Sequence, residues 1–242
     1  MRVFLAAEWR WLAMLNWRVP AELLEPLVPR GTELDRWRGD AWVSIVGFLF
    51  RDTRVLGVPI PWHRDFEELN LRFYVKRHER DEIRRGVCFI REIVPRVAIA
   101  TVARLAYNEP YVALPMRHTI GAMRGDGAGP ELVEYAWRHP RGAGRLRVTP
   151  IGAAAPLRAG SAEEFITEHY WGYTRQRDGG TVEYRVEHPR WNVWGVSTAT
   201  IDGPLEALYG EAMAAVLRRP PDSGMLADGS RVTVSAPRRL PP

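Results

Sequence analysis

Polar side chains of unusual variety follow one face of the segment FEELNLRFYVKR, which spans Phe66–Arg77. Side chains of a β-strand alternate between two faces, and the apolar residues at the centre of this segment share one parity. The other parity carries a carboxylate, an amide, a guanidinium, a phenol and an amine: Glu68, Asn70, Arg72, Tyr74 and Lys76. Together these groups could bind and orient a small polar ligand, and the carboxylate could also transfer protons.

A polar strand face has two explanations. It can face water, as half of an antiparallel strand often does, or it can line the interior of a barrel, where its polar groups need partners. Asn70 and Tyr74 favour the interior, because they are less usual on a plainly solvated face. Glu68 and Arg72 lie about 13 Å apart along a strand that rises about 3.3 Å per residue, so they cannot pair directly. Each needs a partner from a neighbouring strand or from a ligand.

His188 is the best candidate among the histidines, because it precedes the aromatic segment PRWNVW. We assign it to the ligand site, with the alternative that it is a histidine hydrogen-bonded at a strand end. The histidines show no H-E-x-x-H or similar spacing, so we predict no metal site. Cys88 lies within the apolar stretch GVCFI, which favours a small buried side chain over a nucleophile.

Composition and missing motifs argue against several classes of protein. The net charge of +5 arises from basic residues interleaved with 29 acidic ones, so we expect no nucleic-acid partner. The chain lacks G-x-S-x-G and glycine-rich phosphate-binding motifs, which argues against an α/β-hydrolase and against nucleotide binding. No stretch of about 18 uncharged apolar residues could span a membrane, and a single cysteine suits a reducing compartment. We therefore expect a cytoplasmic protein with no membrane association and no cofactor.

Strands dominate the predicted secondary structure, with about eight or nine strands and four short helices. The predicted helices are Val19–Gly31, a buried helix at Val97–Tyr107, a helix that begins after a capping box of Ser161 and Glu164, and Pro204–Leu217. The segment GDGAGPE predicts a turn. Helices do not alternate regularly with strands, which favours a mostly antiparallel barrel or sandwich. No shift of composition marks a boundary, so we predict that residues 1–242 form a single domain.

Three pairs of segments along the chain are distinctive: LNWRVPAELLEPLVPRGTELD with GDAWVSIVGF, FEELNLRFYV with RGVCFI, and AEEFITEHYWGYT with VEHPRWNVW. The E-L-N-x-R-x-Y-V and H-P-x-W blocks are the most specific. With these segments the chain resembles the YqjF-like family, conserved bacterial proteins classed as a domain of unknown function. That family is similar in fold to the acetoacetate decarboxylase-like superfamily. The resemblance implies a β-rich α+β fold, a mostly antiparallel barrel or cone with a central cavity and several short flanking helices. It also places the even-numbered face of Glu68–Lys76 toward the cavity.

The same resemblance implies a chemistry for Lys76, which is the sole lysine of the chain. Decarboxylases of that superfamily use a neutral lysine that forms a Schiff base with a β-keto acid. The segment YVKR matches the end of their motif in part, since Tyr74 and Lys76 correspond while Val75 replaces a proline and Arg77 replaces a second lysine. The alternative is that Lys76 begins the charged hairpin tip KRHERDEIRRG and is solvated.

The sequence leaves three functions open. The first is a ligand-binding barrel in which a small organic acid lies against Arg72 and is oriented by polar neighbours: Glu68, Asn70, Tyr74 and His188. The second is a decarboxylase-like lyase that acts on a keto acid, with Lys76 as nucleophile or Glu68 as acid or base. The third is a basic protein that binds an anionic partner. We favour the first, with a small molecule as the partner, and leave homo-oligomerisation open.

Overall fold

Strands dominate the computed structural model, which describes residues 2–125 and 129–241. The strands of these residues are β1 (Val3–Val19), β2 (Glu33–Leu34), β3 (Ala41–Val55), β4 (Val58–Pro59), β5 (Phe66–His78), β6 (Ile83–Val94), β7 (Tyr111–Ala113), β8 (Met116–Ile120), β9 (Val133–His139), β10 (Gly142–Pro156), β11 (Trp171–Arg175), β12 (Thr181–Glu187), β13 (Asn192–Asp202), β14 (Ser223–Ser235) and β15 (Arg238–Arg239). The α-helices are α1 (Val97–Tyr107), α2 (Ala162–Thr167), α3 (Leu205–Tyr209) and α4 (Glu211–Leu217). The predicted β-rich class with short helices is confirmed.

Strand β5 belongs to a sheet that closes on itself. On one side β5 pairs with β3, which pairs with β1, which pairs with β14. On the other side β5 pairs with β6, which pairs with β11, which pairs with β12. Val186 and Glu187 of β12 then pair with Val234 and Thr233 of β14, so these strands form a ring. Its ladders are antiparallel except the one between β6 and β11, which agrees with the mostly antiparallel arrangement that the sequence predicts.

The ring separates two hydrophobic cores. Its inner face contributes Met14, Val46 and Phe48 to one core. Its outer face packs against α3, α4 and the strands β13, β10 and β9, which continue the sheet beyond β14. Leu69 and Leu71 of β5 are fully buried in this outer core. The centre of strand β5 is therefore covered on both faces, and Glu68 and Asn70 on it do not face bulk water.

A β-bulge in β6 changes which of its side chains face the interior. The register with β5 skips one residue of β6, Ile90, between Phe89 and Arg91. An extra residue shifts the alternation of side chains by one position. Phe89 before the bulge and Glu92 after it therefore both line the interior, although one is odd-numbered and the other even-numbered.

Helix α1 has the predicted bounds, but it lies at the surface instead of being buried. Val97 is 70% exposed and Leu105 is 83% exposed, whereas Ile99 and Ala103 line the cavity enclosed by the ring. The prediction of a buried helix is wrong because apolar residues occupy both sides of α1, and the sequence alone does not show which side is covered.

Proline and glycine interrupt two of the other predicted helices. The segment Val19–Gly31 forms two 3₁₀ turns, Ala21–Leu23 and Glu25–Leu27, because Pro26 within it has no N–H to continue an α-helical ladder. The predicted helix Pro204–Leu217 is divided into α3 and α4 at Gly210, whose φ of +81° is not helical. These two predictions were too long.

The cap of α2 agrees with its prediction. Ser161 is the N-cap, and its side chain accepts a hydrogen bond from the Glu164 backbone N–H at 3.2 Å. The predicted turn GDGAGPE includes residues 126–128, which lie outside the described residues. Across 2–125 and 129–241, none of the helices has both the length and the apolar character needed to cross a membrane.

Candidate functional site

The interior of the ring contains a cavity of about 210 Å³. Its wall is mainly apolar and aromatic, with Leu12, Val46, Phe48, Phe50, Phe66 and Trp191 among the lining side chains. Helix α1 covers one side. A wall of this kind can hold the apolar body of a ligand, and it strengthens the electrostatic interactions of the few polar groups by excluding water.

The polar face of β5 points into this cavity. Glu68, Asn70 and Arg72 line it, and Glu68 and Asn70 are each only 2% exposed. Tyr74 is buried beside the cavity but is not part of its lining. The Tyr74 hydroxyl shares a hydrogen bond of 2.5 Å with Ser44 Oγ, and the Arg72 guanidinium lies 5.7 Å from the centre of the Tyr74 ring. Tyr74 thus packs beside Arg72 without lining the cavity itself.

Glu68 is a buried carboxyl group with two hydrogen-bond donors. Asn70 Nδ2 donates to its Oε1 at 3.0 Å, and the Tyr111 hydroxyl donates to its Oε2 at 2.9 Å. Burial raises the pKa of Glu68 to about 7, against the opposing effect of these hydrogen bonds and of the Arg72 charge. A carboxyl group whose pKa lies near neutrality can gain or lose a proton at physiological pH.

Two further carboxyl groups, Glu92 and Glu109, line the same cavity. The hydroxyls of Thr174 and Tyr184 both donate to Glu109 Oε1, the second at 2.7 Å. Burial raises the pKa of Glu109 to about 7. Burial also raises the pKa of Glu92 well above its ordinary range, and the charges of Glu109 and Glu68 add to that effect. In the described part of the chain, no three His, Cys, Asp or Glu side chains are arranged to hold a metal ion.

Sequence reasoning missed both of these glutamates. Glu92 shares its parity with Cys88, which packs in the outer core, so simple alternation would turn Glu92 outward. Only the bulge at Ile90 turns it inward. Glu109 lies in the segment NEPY between α1 and β7, where no periodic pattern indicates a direction. The one available signal was a carboxylate within the otherwise largely apolar stretch VCFIREIV.

Several buried polar atoms of the cavity have no hydrogen-bond partner among the described residues. Three are acceptor oxygens and one is a donor nitrogen: Asn70 Oδ1, Glu92 Oε2, Glu109 Oε2 and Arg72 Nε. Leaving a buried polar group unpaired costs about 1–3 kcal/mol, so such groups are rare without a functional reason. A polar ligand could supply the missing partners.

Arg72 is positioned so that part of its guanidinium is available to a ligand. Its Nη2 donates to the backbone carbonyl oxygen of Ile166 at 3.2 Å, and Tyr74 packs beside it. These contacts fix the side chain while Nε stays unpaired by any described residue. Arg72 therefore offers a preorganised cationic donor inside the cavity.

His188 also lines the cavity, and its ring stacks on Trp191 with the ring centres 4.0 Å apart. Its Nδ1 lies 2.8 Å from the Pro189 carbonyl oxygen, as in the alternative of a histidine bonded at a strand end. His169 is a second histidine of the lining, which no sequence pattern singles out. Its Nε2 lies 3.2 Å from Asp35 Oδ2, and burial lowers the pKa of His169 to about 4, so this ring is neutral at physiological pH.

Lys76 lies outside the cavity lining, where β5 pairs with β2. Its Nζ is 3.2 Å from Glu33 Oε1, and its side chain is 31% exposed. The structure therefore brings Glu68, Asn70 and Arg72 together but leaves Lys76 apart from them. This position agrees with the alternative in which Lys76 begins the hairpin tip, and it offers no geometric support for a Schiff base with a ligand in the cavity.

We expect borohydride reduction in the presence of a β-keto acid to leave the peptide that contains Lys76 unchanged in mass. The physical reason is that the amine lies outside the cavity and is paired with Glu33. Peptide mass spectrometry measures the result, with Lys76→Ala treated in the same way as a control. An adduct in the wild-type protein that is absent from Lys76→Ala would show that Lys76 does reach the ligand.

Comparison with known proteins agrees with the fold and with the resemblance. The uncharacterized protein YqjF of Bacillus subtilis (strain 168) is 29% identical over 182 residues, which cover 75% of this chain and 72% of that protein. Acetoacetate decarboxylase of Legionella pneumophila has a TM-score of 0.68 at 11% identity, over 99% of this chain and 88% of that one. The enduracididine biosynthesis enzyme MppR, solved with pyruvate, has a TM-score of 0.70 at 12% identity, over 100% and 91%. At these identities the solved structures establish the fold alone, and they confirm the predicted acetoacetate decarboxylase-like fold.

A family profile gives the assignment that the solved structures cannot give. The profile described as "Uncharacterized conserved protein (COG2071)" matches residues 6–231, which are most of the chain. All the segments that suggested a YqjF-like protein fall within this range. The chain belongs to this family of uncharacterized conserved proteins, DUF2071.

Proposed function

We propose that this protein binds a small organic acid in the barrel cavity, with the carboxylate of the ligand on Arg72 and its apolar body against the aromatic wall. The observation that carries the proposal is the guanidinium of Arg72, whose Nε has no partner among the described residues inside a mainly apolar cavity. Guanidinium–carboxylate hydrogen bonds are strong because both groups are charged and their geometries match.

Glu68 lets the cavity accept an anion without lasting repulsion. Its carboxyl group is close enough to Arg72 for the Arg72 charge to lower the pKa of Glu68, although burial has the larger effect and leaves that pKa at about 7. When a carboxylate binds Arg72, Glu68 can take up a proton at little cost near neutral pH. Asn70 and His188 line the same cavity, and in this proposal they orient the rest of the ligand.

The ligand of one solved structure with this fold supports the chemical class. MppR was solved in complex with pyruvate, a small carboxylate that also carries a carbonyl group. Because the two chains share 12% identity, this ligand is a guide only to the size and charge of what such a barrel can hold.

A homologous series of straight-chain carboxylates from butanoate to octanoate tests the proposal. We expect affinity to rise about fourfold per added methylene, from about 0.8 kcal/mol each, until the apolar part of the cavity is full. The matched primary alcohols should bind at least about tenfold more weakly, because they lack the charge that pairs with Arg72. Titration calorimetry or protein-observed NMR measures both trends. Affinities that do not change with chain length, or alcohols that bind as well as acids, would refute the proposal.

A further inference from the structure

The polar end of the cavity contains buried oxygen atoms that lack hydrogen-bond partners among the described residues. The donors of this region are already used, since Asn70 Nδ2 and the Tyr111 hydroxyl bind Glu68, and the hydroxyls of Thr174 and Tyr184 bind Glu109. What lacks a partner among the described residues is one amide oxygen and two carboxyl oxygens, and the carboxyl oxygens accept hydrogen bonds when their groups are ionised: Asn70 Oδ1, Glu92 Oε2 and Glu109 Oε2. A group that pairs with all of them must bring several donors.

These acceptors come from adjoining parts of the barrel. Asn70 of β5 lies directly opposite Glu92 of β6 in the antiparallel ladder, a placement that brings side-chain origins within about 5.5 Å of each other. The Glu92 backbone N–H donates to the carbonyl oxygen of Pro110, the residue that follows Glu109. The charge of Glu109 also contributes to the raised pKa of Glu92, which places the two carboxyl groups within electrostatic reach.

The burial of these three side chains makes their lack of hydrogen-bond partners informative. Asn70 and Glu92 are each 2% exposed and Glu109 is 5% exposed, so bulk water does not reach these side chains freely. The amide oxygen of Asn70 is buried without a donor and faces the same cavity. Its lack of a partner is an observation separate from the acidic groups beside it. The acidic pair and the amide oxygen are therefore two separate observations of buried oxygens that lack hydrogen-bond partners.

We propose that Asn70, Glu92 and Glu109 bind a primary ammonium group, so that the ligand is an amino acid or a close relative with a cationic nitrogen as well as a carboxylate. This inference rests on the proposed function for the carboxylate end at Arg72. An ammonium group has three N–H donors and no acceptor, which matches three acceptor oxygens. Its charge also offsets the cost of ionising a buried carboxyl group.

A neutral carbonyl group fits this end less well. A carbonyl oxygen only accepts hydrogen bonds, so it would compete with Asn70 Oδ1 for the protons of the carboxyl groups, whereas an ammonium group brings donors of its own. The amide oxygen of Asn70 stays on this side while its Nδ2 donates to an ionised Glu68, at 3.0 Å.

The spacing of the two ends suggests a probe. Asn70 and Arg72 are two residues apart on one face of β5, which corresponds to about 7 Å along a strand. In extended 5-aminopentanoate the charged ends are separated by a similar distance. Pentanoate lacks its ammonium group and pentylamine lacks its carboxylate, so the three compounds separate the two contributions.

Titration of the wild-type protein with these three compounds tests the inference. We expect 5-aminopentanoate to bind at least about tenfold more tightly than either pentanoate or pentylamine, the effect of one charge-assisted contact. If pentanoate binds as tightly as 5-aminopentanoate, the ammonium site is refuted while the proposed function stands. If pentylamine binds as tightly as 5-aminopentanoate, the carboxylate site of the proposed function is refuted instead. Failure of all three compounds to bind at millimolar concentration would refute both.

Neutral replacements of the two glutamates locate the ammonium group. We expect Glu92→Gln and Glu109→Gln each to remove most of the advantage of 5-aminopentanoate over pentanoate, while binding of pentanoate itself changes less than about twofold. The exposed Glu22→Gln serves as the matched control and should change neither affinity. If the advantage persists in full in both variants, the ammonium group does not bind at these residues. Should a variant fail to fold, the comparison of the three compounds on the wild-type protein still decides the inference.

Discussion

Replacing Arg72 with methionine should weaken the binding of a straight-chain carboxylate by about a hundredfold or more. Methionine keeps an unbranched apolar stem in place, so the change removes mainly the guanidinium. Truncating one partner of a buried charge-assisted pair costs about 2–5 kcal/mol, and about 2.7 kcal/mol corresponds to a hundredfold loss of affinity. Because Arg72 is half-buried and the cavity wall is largely apolar, water replaces the lost donors only in part. Titration with hexanoate measures the loss of affinity.

Arg185→Met is the matched control for this change. Arg185 also belongs to a ring strand, but its side chain is 53% exposed and pairs with Glu187 at 3.2 Å. Removing that guanidinium should leave the affinity for hexanoate within a factor of about two, since an exposed ion pair contributes little. Equal affinities for hexanoate in Arg72→Met and Arg185→Met would show that the carboxylate does not lie on Arg72.

The polar face of β5 was the part of the candidate site that the sequence could predict. Alternation alone shows that Glu68, Asn70 and Arg72 share a face, because the period of a strand is fixed by its backbone geometry. Alternation does not show which face is inward, since both faces of β5 are buried once the outer core is in place. The direction came from the resemblance to YqjF-like proteins, and the structure agrees with it for Glu68, Asn70 and Arg72 but not for Lys76.

The features of the site that the sequence could not predict depend on how the strands pair with one another. Glu92 faces inward because a bulge at Ile90 shifts the alternation, and a bulge depends on the partner strand as much as on its own residues. The ring closes through the short contact of Val186 and Glu187 with β14, which joins segments that are distant along the chain. Lys76 attracted attention because it is the sole lysine, and the structure places it where β5 pairs with β2, outside the cavity lining.

The three buried glutamates should also make the stability of the protein depend on pH. A carboxyl group with a raised pKa in the folded state keeps its proton at a pH where the unfolded chain has already lost it. The free energy of unfolding then falls as pH rises above the ordinary pKa, and it stops falling above the pKa of the folded state. For Glu109 this interval runs from 4.5 to about 7.

Glu109→Gln should therefore stabilise the protein at pH 8 and leave its stability unchanged near pH 4.5. The glutamine oxygen can keep both hydrogen bonds that Thr174 and Tyr184 donate to Oε1, and its amide nitrogen replaces the unpaired Oε2. A rise of the pKa from 4.5 to about 7 corresponds to about 3 kcal/mol, which is the largest gain expected at pH 8. Urea unfolding at the two pH values measures the free energy of unfolding.

The difference between variant and wild type isolates Glu109 from other titrating groups. His169, whose pKa is lowered to about 4, contributes the opposite trend, because its neutral folded form makes the protein gain stability as pH rises through the range below 6.5. That contribution cancels when Glu109→Gln is compared with wild type at each pH, and Glu22→Gln should show no difference at either pH.

A variant that is no more stable than wild type at pH 8 would mean that Glu109 ionises there without cost. If the variant gains stability while losing its preference for 5-aminopentanoate, the carboxyl group is kept for its ligand at the expense of the fold, because a purely structural role would not combine these two results.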